Sequence, residues 1–240
     1  MTKLKIKRGD NVIITTGKKE IKGNLNSRSK LSLALSLSPD INSVGSFSNS
    51  SFGTSISIGA GYRITPRLSL NTAIGYSKKV YTAEPDQYKA PWANIAAKYD
   101  ELIDADCRVL DVPVNLNYSF SKTSRKTVFA EVGLSSYFMM KEKYTLVDKD
   151  GQSGYPGYPD ISYSYKNKNQ HLLSVLNFSV GLAKPLSKQT SLVIAPYARL
   201  PLTGIGQGKV NLQSVGLNFQ LQYNFRKKTD IKSTSINAAQ

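Results

Sequence analysis

Apolar and small polar residues alternate with a period of two along segment after segment of this chain, and no other feature narrows its possible folds as far. Leu31-Ser-Leu33-Ala-Leu35-Ser-Leu37-Ser38 is a plain case, with leucines on one side and small residues on the other. Similar runs recur over residues 55–64, 68–76, 110–120, about 127–146, 171–186, 192–202 and 215–225. They predict eight strands, each with one apolar and one polar face. The polar face carries Ser57, Gly59, Asn71, Asn115, Asn117, Glu131, Asn177, Arg199, Asn218, Gln220, Gln222 and Asn224, among others.

Alternation does not say which face points inward. A soluble barrel turns its apolar face to the centre, and a membrane barrel turns it to lipid. Three features favour lipid. Several runs reach ten residues or more, where soluble strands average about five or six and a tilted membrane strand needs about nine to eleven. Long links (39–51, 83–105, 147–170) alternate with short ones (near Thr65, 121–126, near Ser187), although the link at 203–209 is short for its place. Tyr62, Tyr76, Tyr81, Tyr118, Phe120, Phe138, Tyr144, Tyr223 and Phe225 fall near strand ends, where interfacial girdles need them. The expected fold is therefore an all-β, eight-stranded antiparallel up-and-down transmembrane β-barrel, with both termini on the short-turn side. Pro113, Pro196 and Pro201 interrupt the runs, and kinks or bulges are expected at the first two.

The expected organisation is a basic segment 1–30, a barrel over 31–225 and a polar tail 226–240. No run approaches the ~18–20 apolar residues of a membrane-spanning helix. An exported barrel needs a cleavable signal, and residues 1–30 offer only Val12-Ile13-Ile14. The expectation is an upstream start or a processed form. The net charge of +16 is spread over 1–30, the turn 122–126 and 226–232, with no nucleic-acid motif, so nucleic acid is not an expected partner.

The segment Pro196 to Val210, with Gly204, Gly206 and Gly208, leads into Ser214-Val215-Gly216-Leu217 and ends at Gln222-Tyr223-Asn224-Phe225. This resembles the outer membrane protein β-barrel domain family common in the Bacteroidota. That family is similar to the small OmpA/OmpX-type barrels and includes PorT-like proteins. The likeness spans roughly residues 31–225. It implies a membrane barrel of the Gram-negative outer membrane and no catalytic residues. The sequence departs from it in the tail after Phe225 and in the lack of a signal before the barrel.

Candidate sites follow from inward polarity and loop composition. Glu131, Arg199 and Arg63 are expected as a lumen polar cluster. A charge in a narrow lumen needs a partner, so Glu131 is expected to pair with Arg199 or with another cation such as Arg63. Such a cluster could be a structural plug or a gate. The loop tyrosines Tyr155, Tyr158, Tyr163 and Tyr165, with Trp92, are the expected contact residues, since exposed aromatics bind at low entropic cost. An Ala-rich stretch at 90–99 suggests a short helix. His171 is expected at a rim, and Asp100, Glu101, Asp104 and Asp106 in a solvated loop without calcium-loop spacing. Gly204, Gly206 and Gly208 lack the Lys-Ser/Thr of a phosphate loop and are expected to shape a hairpin. Cys107 is single, so no internal disulfide is possible, and no metal or other cofactor is expected.

The leading functional expectation is a non-enzymatic outer-membrane barrel with a structural, adhesive or assembly-related role. Its expected partners are outer-membrane lipid, then lipopolysaccharide or another surface protein, and it is expected to be a monomer. The alternatives are a narrow pore or transporter and a soluble ligand-binding β-barrel. An enzyme with a site spread over several strands is the remaining reading.

Overall fold

The computed structural model describes residues 12–16, 19–23, 28–45, 50–98, 102–122, 126–147 and 161–226. Strands β1 (Val12–Thr16) and β2 (Lys19–Gly23) form a separate antiparallel hairpin. The rest of the strand structure is one closed sheet. In chain order its strands are β3 (Arg28–Val44), β4 (Ser51–Arg63), β5 (Leu68–Ala83), β6 (Leu102–Lys122), β7 (Thr127–Val147), β9 (Gln170–Pro185), β10 (Thr190–Pro201) and β11 (Leu212–Arg226). Each pairs antiparallel with its sequence neighbour, and β11 pairs with β3 to complete the ring. This is the expected eight-stranded up-and-down barrel. A further strand, β8 (Ser162–Lys166), lies on the upper part of β7, above the stretch of β7 that pairs with β9.

The short links at one end explain themselves chemically. The Thr65 hydroxyl accepts from the amides of Arg67 and Leu68 at 3.3 and 3.0 Å. The Ser187 hydroxyl does the same for Gln189 and Thr190 at 3.2 and 3.0 Å. A hydroxyl closing its own turn is compact enough for two long strands to reverse in four residues. Register runs through Pro113 and Pro196 without a shift. The bulges lie elsewhere, at Arg108/Val109, Ser119/Ser121, Ser135/Tyr137 and Asn224/Arg226. The kinks expected at the prolines are thus replaced by ladder gaps: the residues paired across from Pro113 and Pro196 drop out locally, as a missing N–H requires.

The apolar face points outward over the middle of the barrel. Ile58 is 67 % exposed and Ile74 63 %, and Leu31, Leu33, Leu35, Leu37, Leu116, Phe178, Leu182 and Leu221 join them in a continuous belt. In water such a belt would be the wrong side out. In hydrocarbon it is the required one, and the closed ring leaves no backbone edge unpaired. Tyr62, Tyr118, Phe120, Tyr223 and Phe225 rim the belt at the short-turn end and Tyr76 at the other.

β6 and β7 have 21 residues each. At about 3.3 Å per residue and a tilt near 40°, that is roughly 50 Å of height, twice the ~25 Å of an apolar band. The sheet therefore continues beyond the belt at the long-loop end, and there its polarity reverses. Lys78, Arg108 and Lys143 face outward, while Tyr81, Ala105, Cys107, Val109, Met139, Tyr144 and Leu146 are buried inside. Tyr81 and Tyr144, expected in a girdle, belong to this interior. They share the inward side of their strands with Ser77, Lys79 and Glu142, which are buried with them.

Candidate functional site in the barrel lumen

The lumen has three storeys. The lowest, toward the short turns, is lined by serines, asparagines, glutamines and glycines from all eight strands. Two adjoining cavities of about 130 and 150 Å³ occupy it. Glu131 projects between them. Its carboxylate accepts hydrogen bonds from the side-chain amides of Asn71 (2.7 Å), Asn115 (2.9 Å) and Asn117 (3.3 Å). Asn177 extends the network, donating to Asn115 Oδ1 at 3.1 Å and to the Ser135 hydroxyl at 2.9 Å. Three neutral donors are enough to hold a carboxylate in a partly wet lumen.

The middle storey is ionic and closed. The Lys79 ammonium bonds the carboxylate of Asp40, and both side chains are fully buried. Lys79 also donates to the Ser214 hydroxyl at 3.2 Å. Asp40 accepts from Asn42 Nδ2 and from the Tyr197 hydroxyl, each at 3.0 Å. Ser214 donates to Asn42 Oδ1 at 2.6 Å. Beside this group Arg199 pairs with Asp111 at 2.8 Å, and its guanidinium lies 5.1 Å from the centre of the Tyr197 ring. Buried charge is tolerated because each ion has an opposite partner and the Lys79–Asp40 pair has further hydrogen bonds.

The top storey is a dry cap. Tyr88, Trp92, Ala93 and Ala96, from the link between β5 and β6, fold down into the mouth. Residues 90–98 contain helix α1 (Ala93–Lys98), as the Ala-rich composition suggested. Trp92 packs on Tyr88 (5.3 Å between ring centres), Tyr144 (4.8 Å) and Tyr163 (5.5 Å). The link between β10 and β11 locks over them. Ile205 and Val210 pair across a tight hairpin and are almost fully buried. This is the role the glycines of 204–208 were expected to have. Gly206 has φ +72, and a Cβ there would stand 2.6 Å from a Glu142 oxygen; a Cβ on Gly208 would meet the Tyr88 ring at 2.4 Å. The backbone amide of Lys89 donates to the Gly208 carbonyl at 2.9 Å. Glu142, fully buried, accepts from the Tyr144 hydroxyl (2.5 Å), Asn169 Nδ2 (2.6 Å) and the Gln207 amide (2.6 Å). His171 Nε2 accepts from the Gly206 amide at 2.9 Å. Burial pushes the thiol pKa of Cys107 in this cap well above its usual value.

Glu131 and Arg199 both face the lumen, but they do not form the expected pair: Arg199 holds Asp111 and Glu131 holds asparagines. They share a side of the sheet and differ in height. Arg63 lines the lower cavity that also holds Glu131. Trp92, expected as an exposed contact residue, is 7 % exposed, because the wide mouth needs a large apolar side chain to fill it. Tyr163 and Tyr165 are half-buried on β8 against the same cluster. Tyr155 and Tyr158 lie outside the described residues. Asp104 and Asp106 sit on β6, not in a loop, and Asp100 and Glu101 lie outside the described residues. Sequence reading missed Asp40, Asn42, Lys79, Asp111, Tyr197 and Ser214. Asp111 was already visible on the polar face of its run. Asp40 and Asn42 were hidden behind Pro39, taken as a loop start. Among the described residues no group of three or more His, Cys, Asp or Glu side chains is placed to hold a metal ion.

The profile of the family described as "Outer membrane protein beta-barrel domain" matches residues 20–228. No curated protein gives a significant match. Among solved structures, Neisserial surface protein A aligns at 18 % identity, over 82 % of this chain and 98 % of that one, with a TM-score of 0.48. OprG from Pseudomonas aeruginosa aligns at 8 % identity, over 83 % and 98 %, with a TM-score of 0.42. Ail, the attachment invasion locus protein of Yersinia pestis, aligns at 11 % identity, over 80 % and 97 %, with a TM-score of 0.39.

Proposed function

Because the chain belongs to the outer membrane protein beta-barrel domain family and so resides in the outer membrane, we propose that it is a closed, non-conducting barrel. Its role is structural, adhesive or assembly-related, exercised through the extracellular, long-loop end. The observation that carries this reading is the double seal of the lumen: the Lys79–Asp40 and Arg199–Asp111 layer, roofed by the Trp92 cap. An ion entering from the periplasm meets charges already paired, and above them a storey of buried, mostly apolar side chains. β3 starts and β11 ends at the short-turn end, which supports placing segments 1–30 and 226–240 on the periplasmic side of a monomeric barrel. The segment 196–210 supports a place among the Bacteroidota members, including the PorT-like proteins.

The polar lower storey favours one second reading, a narrow pore. Planar-bilayer recording on the purified barrel separates the two. The closed reading expects no stable conductance steps. Well-resolved steps that persist across preparations would overturn it in favour of the pore.

A further inference from the structure

Strand register assembles a feature that no single stretch of sequence shows. Lys78 on β5 lies directly opposite Arg108 on β6, Arg108 opposite Lys141 on β7, and Lys141 opposite Lys166 on β8. All four are on the outward side, with Lys78, Arg108 and Lys166 exposed and Lys141 half-buried. At about 4.8 Å between strands the row of cations spans roughly 15 Å. Lys78 has a carboxylate beside it, Asp106 at 3.5 Å. Among the described residues none lies within ion-pair distance of Arg108, Lys141 or Lys166. Like charges directly opposite one another weaken a sheet. Four in a line are a standing cost that an anion laid across them would remove.

Position says which anion. The next outward row toward the membrane is Tyr76, Leu110 and Phe138, in register with one another and at the edge of the apolar belt. The patch is thus two-zoned, cationic above and apolar immediately below. The outward residues toward the long-loop ends of β3, β4, β10 and β11, such as Ile41, Phe52, Leu200 and Gln213, carry no charge. The row therefore marks one sector of the rim. A soluble polyanion would have no use for the apolar row. A molecule with phosphates at its head and acyl chains beneath matches both zones.

We propose that the Lys78–Arg108–Lys141–Lys166 row docks the phosphates of a phosphorylated glycolipid of the outer leaflet, such as lipopolysaccharide, with its acyl chains against Tyr76, Leu110 and Phe138. Arg108 supplies the planar fork that grips a phosphate at two oxygens, and the lysines supply point charge. The site requires the membrane location and is independent of whether the lumen conducts.

The test titrates the full chain, folded in non-ionic detergent, with diphosphorylated lipid A, with the same lipid after dephosphorylation, and with soluble tripolyphosphate. The double variant Arg108→Ser/Lys141→Ser should bind the phosphorylated lipid roughly thirtyfold more weakly, from about a fivefold loss per cation near an anionic surface. Lys184→Ser/Lys188→Ser, at the periplasmic turn, should bind as the parent does. Heat-modified gel mobility confirms that each variant is folded. The proposal is overturned by equal binding of the double variant, by equal affinity for the dephosphorylated lipid, or by tripolyphosphate binding as tightly as the lipid. The last result would make the row a free-anion site.

Discussion

The lower and upper halves of this barrel are built from the same strands with the same alternation, yet they are inside out relative to each other. In the belt, β5 turns Leu70 and Ile74 outward and Asn71 inward; a few residues further on the same strand turns Lys78 outward and Tyr81 inward. The register of β5 runs unshifted between them. What changes is the medium outside the wall, hydrocarbon below and water above. A period of two fixes that a strand has two faces, and the surroundings decide which must be greasy. The buried ions Lys79, Asp40 and Asp111, with the part-buried Arg199, sit at the change-over, between a lumen with polar cavities and a mostly apolar cap.

The change-over layer should be the most sensitive place to break the comparison. Asp40→Ala leaves the Lys79 charge buried without its partner and should cost about 3–5 kcal/mol. Urea midpoints in lipid or detergent measure it, and a loss under 1 kcal/mol would mean that the layer is not a sealed one. Replacing both ions, Asp40→Leu with Lys79→Met, should restore much of that loss. Next in size is Trp92→Ala, worth about 3 kcal/mol by cavity formation. Its effect should stay in the cap: limited proteolysis should cut the 84–98 link while the belt keeps its heat-modified mobility. Whole-barrel unfolding would show that the two halves are a single unit.

The outer wall offers a paired test. Ile58→Lys places a charge on the belt and should cost about 2–4 kcal/mol in bilayers. Thr82→Lys, outward on the extension, should stay within about 0.5 kcal/mol. Equal effects would erase the inversion. The smallest effect is chemical. With its thiol pKa raised by burial, Cys107 holds its proton at pH 8, and only the thiolate attacks. Maleimide should leave it unmodified in the folded parent and label it in Trp92→Ala.

Much of the belt was legible in sequence, because the alternation of Leu31 through Leu37 and Phe219 through Phe225 gives each strand two faces, and run length with aromatic placement turns the apolar face to lipid. The inward list from Asn71 to Asn224 was legible for the same reason. Pairing inside the lumen was not. Glu131 and Arg199 have the same facing, but their heights depend on register and bulges, and only register brings Asp111 to Arg199. The cap was unreadable on similar grounds. Tyr81 and Tyr144 resemble girdle residues until the length of β5–β7 carries them past the belt, and Trp92 resembles a loop residue until the hairpin at Ile205–Val210 closes over it. The cation row was not legible, because Lys78, Arg108 and Lys166 lie outside the alternating runs and only strand register brings them into line with Lys141.

The seam between β3 and β11 joins the earliest strand of the ring to the last. No partial chain can therefore shut the cylinder. A ribosome stopping short of residue 212, or a frameshift that spoils the final ladder, leaves two raw rows of amides and carbonyls facing acyl chains, each unmet group costing several kcal/mol. Stable insertion into the bilayer therefore requires the last strand, and a chain cut short of it should remain outside the membrane.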